Sequence, residues 1–143
     1  MTDTILDTDI LSEILKERNS IVLGHALAYL QDHERLTFTS VSVNELLLGL
    51  YVKDAKQQLA KATAFLKSHD ELVPLSNDYW LAAQINAALR RSGKPIGDAD
   101  PLIAACAINR DMILATGNTR HYEYVSDAGF TLRIENWRDD ATN

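Results

Sequence analysis

The stretch GDADPLIAACAINRDMILAT, residues 97–116, constrains the fold most. From Leu102 to Ile108 no side chain is charged or strongly polar, so a helix there has no face to offer water and must lie against a sheet. Asp100 reads as its N-cap and Pro101 as its first helical residue, where a missing N–H costs nothing. Residues 112–116, MILAT, then read as a buried strand, and Gly117-Asn118-Thr119 as a turn. A buried helix leading into a buried strand is the connection from which parallel sheets are built.

The rest of the chain continues this alternation. Thr4-Ile5-Leu6 reads as a strand running into the acidic turn Asp7-Thr8-Asp9, after which Ile10, Leu11, Ile14 and Leu15 recur at helical spacing. A second helix follows with Leu23, Leu27 and Leu30 on one face, then a strand over residues 36–40. Ser42 and Glu45 match a capping box that opens a third helix, whose apolar face is Val43, Leu46, Leu47 and Leu50. Two further amphipathic helices present Leu59, Ala62, Phe65 and Leu66, and then Leu81, Ile85, Ala88 and Leu89, the second ending in the segment 90–95. A last strand is expected over residues 130–134. Strands separated by helices imply one α/β domain over residues 1–143, with three layers and a short, mainly parallel central sheet flanked by helices.

Composition narrows the class. The 143 residues carry 14 Lys+Arg against 20 Asp+Glu, a formal charge of −6, which argues against a broad basic surface for gripping nucleic acid. Cys106 stands alone, so no disulfide forms within the chain, and a reducing, cytoplasmic setting is expected. No apolar run is long enough to cross a membrane, and the start MTDTILDTDI has acids where a secretory signal carries basic residues. Neither membrane insertion nor export is expected.

Chemistry is expected where the strands of a parallel sheet end. Asp7 closes the first strand, Glu45 lies in the first turn after the second, Asp98 and Asp100 precede the helix leading to the third, and Thr116 and Asn118 close that strand. Four crowded carboxylates raise one another's pKa unless cations sit between them. Hard divalent ions with oxygen ligands fit, and two such ions are the arrangement of assisted phosphodiester hydrolysis. The acids also have plainer readings: Glu45 as half of a capping box, Asp9 and Asp100 as N-caps, and Asp98 as solvated charge. Arg90, Arg91 and Lys94 form the densest basic cluster, suited to RNA phosphates or simply to a helix C-terminus. The four histidines show no metal-ligand spacing and read as surface or helix-end residues, Cys106 reads as core, and Trp80 and Trp137 read as packing residues.

The segments LDTDILSEIL, SVSVNELLLGL, GKPIGDADPLIAACAINRDMILATGNTRHYEYV and IENW together resemble the PIN-domain ribonucleases of the VapC type, the toxins of toxin–antitoxin pairs. The resemblance spans nearly the whole chain. It implies that Asp7, Glu45 and Asp100 hold Mg²⁺ or Mn²⁺. Asn118 stands in the position after the third strand where an acid is common, with Thr116 beside it, and Asp98 is a substitute carboxylate. Thr8 would support Asp7. The resemblance further implies an endoribonuclease acting on single-stranded or looped RNA and leaving a 5′-phosphate and a 3′-hydroxyl. It also implies a homodimer and inhibition by a VapB-type antitoxin.

Two other classes remain at this stage. The Asp7-x-Asp9 pair after a strand is similar to that of haloacid-dehalogenase-type phosphatases, which form an aspartyl-phosphate, although Leu102 stands where that family's late acid pair is completed. A PIN-fold interaction module without catalysis is the other.

Overall fold

A computed structural model describes residues 1–140. Among the described residues the chain runs β1 (Thr4–Leu6), α1 (Thr8–Lys16), α2 (Ser20–Asp32), β2 (Thr37–Thr39), α3 (Ser40–Val52), α4 (Lys56–Lys67), β3 (Asp70–Leu72), α5 (Ser76–Arg91), α6 (Ala99–Asn109), β4 (Ile113–Thr116), α7 (Thr119–Asp127) and β5 (Ile134–Asn136). The five strands form one sheet in the order β3-β2-β1-β4-β5, and every neighbouring pair is parallel.

One core packs Ile85 and Leu89 of α5, Ile103 to Ala107 of α6 and Tyr122 and Val125 of α7 with Ile5 and Leu114 of the sheet. The other packs Ile10, Leu11 and Ile14 of α1, Val22, Ala26 and Tyr29 of α2 and Leu66 of α4 with Leu6, Phe38 and Ala115. Alternate strand residues therefore feed opposite cores, the period-2 rule of a sheet covered on both faces. The three-layer α/β expectation is met, and α6 is as buried as its sequence demands.

Several boundaries differ from those the sequence suggests. β3 went unread because Asp-Glu-Leu is a polar, three-residue edge strand, short and charged as edges tend to be. α7 lies where only a turn was expected, with Tyr122 and Val125 buried at helical spacing. The last strand is 134–136 rather than 130–134. α3 begins at Ser40, because Thr39 is its N-cap and the Thr39 hydroxyl accepts from the Ser42 N–H (3.2 Å). Ser42 is therefore not a cap, and no capping box joins it to Glu45. On α2 the buried stripe is Val22, Ala26 and Tyr29, while Leu27 faces solvent. Trp137 packs in the core as expected, whereas Trp80 is 72% exposed.

A buried ion pair joins α5 to α6. Asp78 is fully buried, and its two oxygens accept from the two terminal nitrogens of Arg110 (2.8 and 2.9 Å), from Asn109 (2.9 Å) and from the Leu75 N–H (2.8 Å). Although burial alone would raise it, these bonds hold the Asp78 pKa down at about 2.

Candidate metal centre at the carboxyl edge of the sheet

The register of the three central strands assembles the site. Leu6 lies beside Phe38 on one flank and Ala115 on the other. One residue further, Asp7, Thr39 and Thr116 stand at the carboxyl ends of these strands, where the chain turns toward α1, α3 and α7.

Asp7 is the residue around which the rest is arranged. It is only 4% exposed. One carboxylate oxygen accepts from the Thr8 N–H (2.9 Å) and the other from the Thr116 hydroxyl (2.8 Å). Asp7 is thus the N-cap of α1, a role the sequence reading did not give it. Burial, then the charges of Asp100 and Asp9, push its pKa up to about 7 against the pull of these two hydrogen bonds. No cation among the described residues reaches Asp7 to relieve that crowding.

Glu45 and Thr8 are linked. The Thr8 hydroxyl donates to Glu45 Oε1 and lies within hydrogen-bond distance of Ser42 Oγ, each at 2.8 Å. Ser42 and Glu45 stand three residues apart on α3, so one helix face presents both. Thr8 thus stands between the two acids, its N–H on Asp7 and its hydroxyl on Glu45.

Asp100 sits in the first turn of α6 but is not its N-cap; Asp98 occupies that position, and Pro101 is the third helical residue, still within the turn whose N–H groups lack partners. Asp100 Oδ2 lies 3.0 Å from His121 Nδ1, and Asn118 Nδ2 lies 2.9 Å from the same nitrogen. The Asn118 N–H donates to the Thr116 hydroxyl oxygen (2.9 Å). Asn118 and Asp100 thus converge on one ring nitrogen of His121.

Asp98 does not join this group. Its carboxylate is 84% exposed and accepts from Asn86 (2.9 Å) and Arg90 (3.0 Å), so the expectation of a substitute fourth carboxylate is not met. Helix phase explains the divergence: residues two apart on a helix start point about 200° apart. The same bond occupies Arg90. Lys94 lies over the Tyr124 ring (5.0 Å), and Arg91 is exposed.

Three site residues escaped sequence reading. Asp9 is no N-cap: one oxygen accepts from the Ile10 N–H (2.8 Å), the other from the Gly117 N–H (2.9 Å), with Arg138 3.6 Å away. Burial raises its pKa. A Cβ at Gly117 would collide with the Arg138 side chain and approach Asp9 to 2.9 Å, which explains glycine in this turn. His121 and Tyr122 were missed with α7; the spacing of Tyr122 and Val125 was the available signal. The Tyr122 hydroxyl is buried facing Asp7 and Asp100, and burial with these two carboxylates keeps the phenol protonated.

These observations fit a hard divalent cation. The donors are carboxylate oxygens, and Asp7 is crowded by Asp100 and Asp9 without a countercharge. Among the described residues no three His, Cys, Asp or Glu side chains already enclose an ion-sized space. Water and substrate phosphate would complete the shell, the usual manner of Mg²⁺.

Residues 4–126 match the PIN domain, and the chain belongs to that family. It is similar to VapC proteins along almost its whole length. The tRNA(fMet)-specific endonuclease VapC of Shigella flexneri is 32% identical over 143 aligned residues, covering 96% of this chain and 99% of its own. Ribonuclease VapC2 of Haemophilus influenzae is 30% identical over 138, with coverage of 96% and 99%. Among solved structures, DNA-bound VapBC from Salmonella typhimurium superposes with a TM-score of 0.80 at 25% identity, over 96% of this chain and 99% of that one. VapBC2 from Rickettsia felis shares the fold, with a TM-score of 0.79 at 23% identity over 94% and 98%.

Proposed function

We propose that this chain is the ribonuclease toxin of a type II toxin–antitoxin pair, a single PIN domain whose Asp7, Asp100 and Glu45 hold divalent metal at the carboxyl edge of the sheet. The observation that carries the reading is the buried Asp7, raised to about 7 by burial and by two neighbouring acids with no cation beside it. Its hydrogen bonds from Thr8 and Thr116 fix the carboxylate's orientation but do not neutralise it. A divalent ion there would withdraw charge from the scissile phosphate and acidify the attacking water. Mg²⁺ and Mn²⁺ are the ions that suit this oxygen-rich donor set.

The chain's own residues set the geometry. Thr8 and Thr116 hold the Asp7 carboxylate from either side, and the Thr8 hydroxyl orients Glu45. His121 orients Asp100, while Asp9 ties the β4–α7 turn to the start of α1. The Tyr122 hydroxyl offers a proton donor at the floor of the site. RNA whose backbone can bend into the site, single-stranded or looped, is the substrate class, and hydrolysis leaves a 5′-phosphate and a 3′-hydroxyl. A VapB-type antitoxin is the partner, and a homodimer and a cytoplasmic location belong to the same reading. No helix among the described residues is long and apolar enough to cross a membrane.

The phosphatase alternative needs Asp9 as a free acid beside Asp7, yet Asp9 is engaged by Gly117 and Arg138. A purely binding role leaves the crowded acids without a purpose. Expression of the wild-type chain and of Asp100→Asn in a bacterial host tests the reading. Growth arrest and discrete new RNA 5′-ends with the wild type alone support it; no arrest and no cuts with either chain would overturn it.

A further inference from the structure

The basic cluster legible in the sequence is Arg90, Arg91 and Lys94, and two of the three are already engaged, Arg90 by Asp98 and Lys94 by the Tyr124 ring. A different set of cations gathers around a groove of about 490 Å³ between α1, α3 and α4. Lys16 ends α1 and Arg18 follows just beyond it, Lys53 caps the end of α3, and Lys61 stands in the middle of α4. All four are exposed, and no Asp or Glu is among the described residues that line the groove. Lys61 pairs with Glu17 (3.1 Å), whereas Lys16, Arg18 and Lys53 form no ion pair among the described residues. Helix dipoles favour Lys16 and Lys53 at helix C-termini but give no reason for Lys61 in mid-helix, nor for all four to line one groove in a chain of net charge −6. Cations gathered without acids between them concentrate a positive field, and an anionic ligand is what such a field attracts.

The groove opens beside the metal centre. On α1, Ser12, Leu15 and Lys16 follow Thr8 at i+4, i+7 and i+8, and on α3, Leu46, Leu50 and Lys53 follow Ser42 at i+4, i+8 and i+11. Each wall therefore continues a helix face that carries a site residue. The two faces meet where the Thr8 hydroxyl contacts Ser42 and Glu45, at 2.8 Å each. From Thr8 to Lys16 the helix advances about 12 Å, which sets the cations apart from the acids and places them for the phosphates on either side of a cleavage point rather than for the scissile phosphate itself. Leu15, Leu46 and Leu50 are half-buried and give the groove an apolar floor for sugar and base faces. A basic groove that tracks the backbone is how single strands are held without regard to sequence. An apolar peptide would account for the leucines and not for the four cations; an RNA strand accounts for both.

We infer that the groove between α1, α3 and α4 is the track along which single-stranded RNA runs to the metal centre, with Lys16, Arg18, Lys53 and Lys61 holding the phosphates that flank the scissile one. The identity of the strand rests on the ribonuclease reading, whereas the groove itself is read out by binding without cleavage. An acidic chain thus grips RNA along one narrow face and needs no broad basic surface.

Fluorescence anisotropy of a labelled single-stranded oligoribonucleotide with the Asp100→Asn chain, at fixed Mg²⁺ and rising KCl, tests it. The binding constant of a single strand falls with salt, with a log–log slope of about 0.7 for each phosphate neutralised. Lys16→Gln with Lys53→Gln should therefore flatten the slope by about 1.4 and weaken binding alike for RNAs of different sequence, with thermal melts confirming that the chain is folded. Lys67→Gln with Arg91→Gln removes the same charge from exposed positions outside the groove and should leave the slope as it was. An unchanged slope in the Lys16 and Lys53 variant would overturn the inference, as would equal flattening by both pairs or no RNA binding by the parent chain. If the Lys16 and Lys53 variant holds RNA as before and instead releases a VapB-type antitoxin, the groove docks protein and the inference fails likewise. None of these results decides whether the wild type cuts RNA, which is read separately as new 5′-ends.

Discussion

Replacing Asp7 by asparagine separates the residue's chemical role from its energetic cost. The unfolded chain releases the Asp7 proton near the ordinary value of 3.8, whereas the folded chain keeps it until about 7. Between those values the folded state binds more protons, so stability falls as pH rises through that window. In free energy the penalty is about 1.5–2 kcal/mol at pH 5 and about 4 kcal/mol at pH 8. Asparagine keeps the shape, still accepts the Thr8 N–H, and presents its amide nitrogen to the Thr116 hydroxyl oxygen, while removing the charge. In excess chelator Asp7→Asn should therefore melt above the wild type. The gap should widen by about 2.5 kcal/mol between pH 5 and pH 8, or about 8 °C for a chain of this length. Divalent metal should narrow the gap at pH 8, because it binds only the folded wild type with its carboxylate intact. Scanning calorimetry at the two pH values, with and without metal, reads all of this. A gap of equal size at both pH values, or a wild type more stable than the variant at pH 8 without metal, would refute the reasoning.

Asp78 has the opposite sign. Its folded pKa of about 2 lies below the ordinary 3.8, so its contribution is present above that value and is lost as pH falls toward 2. Asp78→Ala leaves Arg110 without its buried partner and should cost about 3–5 kcal/mol in urea unfolding at pH 7; a loss below 1 kcal/mol would contradict the geometry. Thr8→Val removes the hydroxyl that holds Glu45 but keeps the N–H that holds Asp7. RNA cleavage should slow about ten-fold or more with little change in melting temperature, and an unchanged rate would contradict the assigned role. Cys106 is fully buried, and burial pushes its thiol up to about 12, so iodoacetamide should label it at pH 8 only after unfolding. Prompt labelling of the native chain would contradict its placement in the core.

The layer order was legible because burial imposes a pattern on the sequence. LIAACAI in α6 and MILAT around β4 have a single compatible environment, the inside of a covered parallel sheet. β3 was not legible: its three residues lie at the sheet edge, where backbone pairing with β2 rather than apolar side chains makes the strand. The start of α3 shifted by two residues because Thr39, the last residue of β2, also serves as the cap. At the site, Asp7 and Asp100 could be found from their places beside strand and helix ends, and Glu45 from the helix turn that follows β2. The fate of Asp98 could not. Whether a carboxylate just before a helix faces the sheet edge or a neighbouring arginine depends on helix phase, which a boundary error of one residue turns by about 100°. His121, Tyr122 and Asp9 act through contacts between segments more than twenty residues apart, and local spacing carries no trace of such contacts.

The most direct test of the metal-assisted ribonuclease account is cleavage of end-labelled single-stranded and hairpin RNAs by the purified chain, freed of its antitoxin and stripped with chelator. The account predicts no cutting until Mg²⁺ or Mn²⁺ is restored, then cuts bearing 5′-phosphates, and no cutting by Asp100→Asn at any metal concentration. Undiminished cleavage in excess chelator, or equal cleavage by Asp100→Asn, would contradict it.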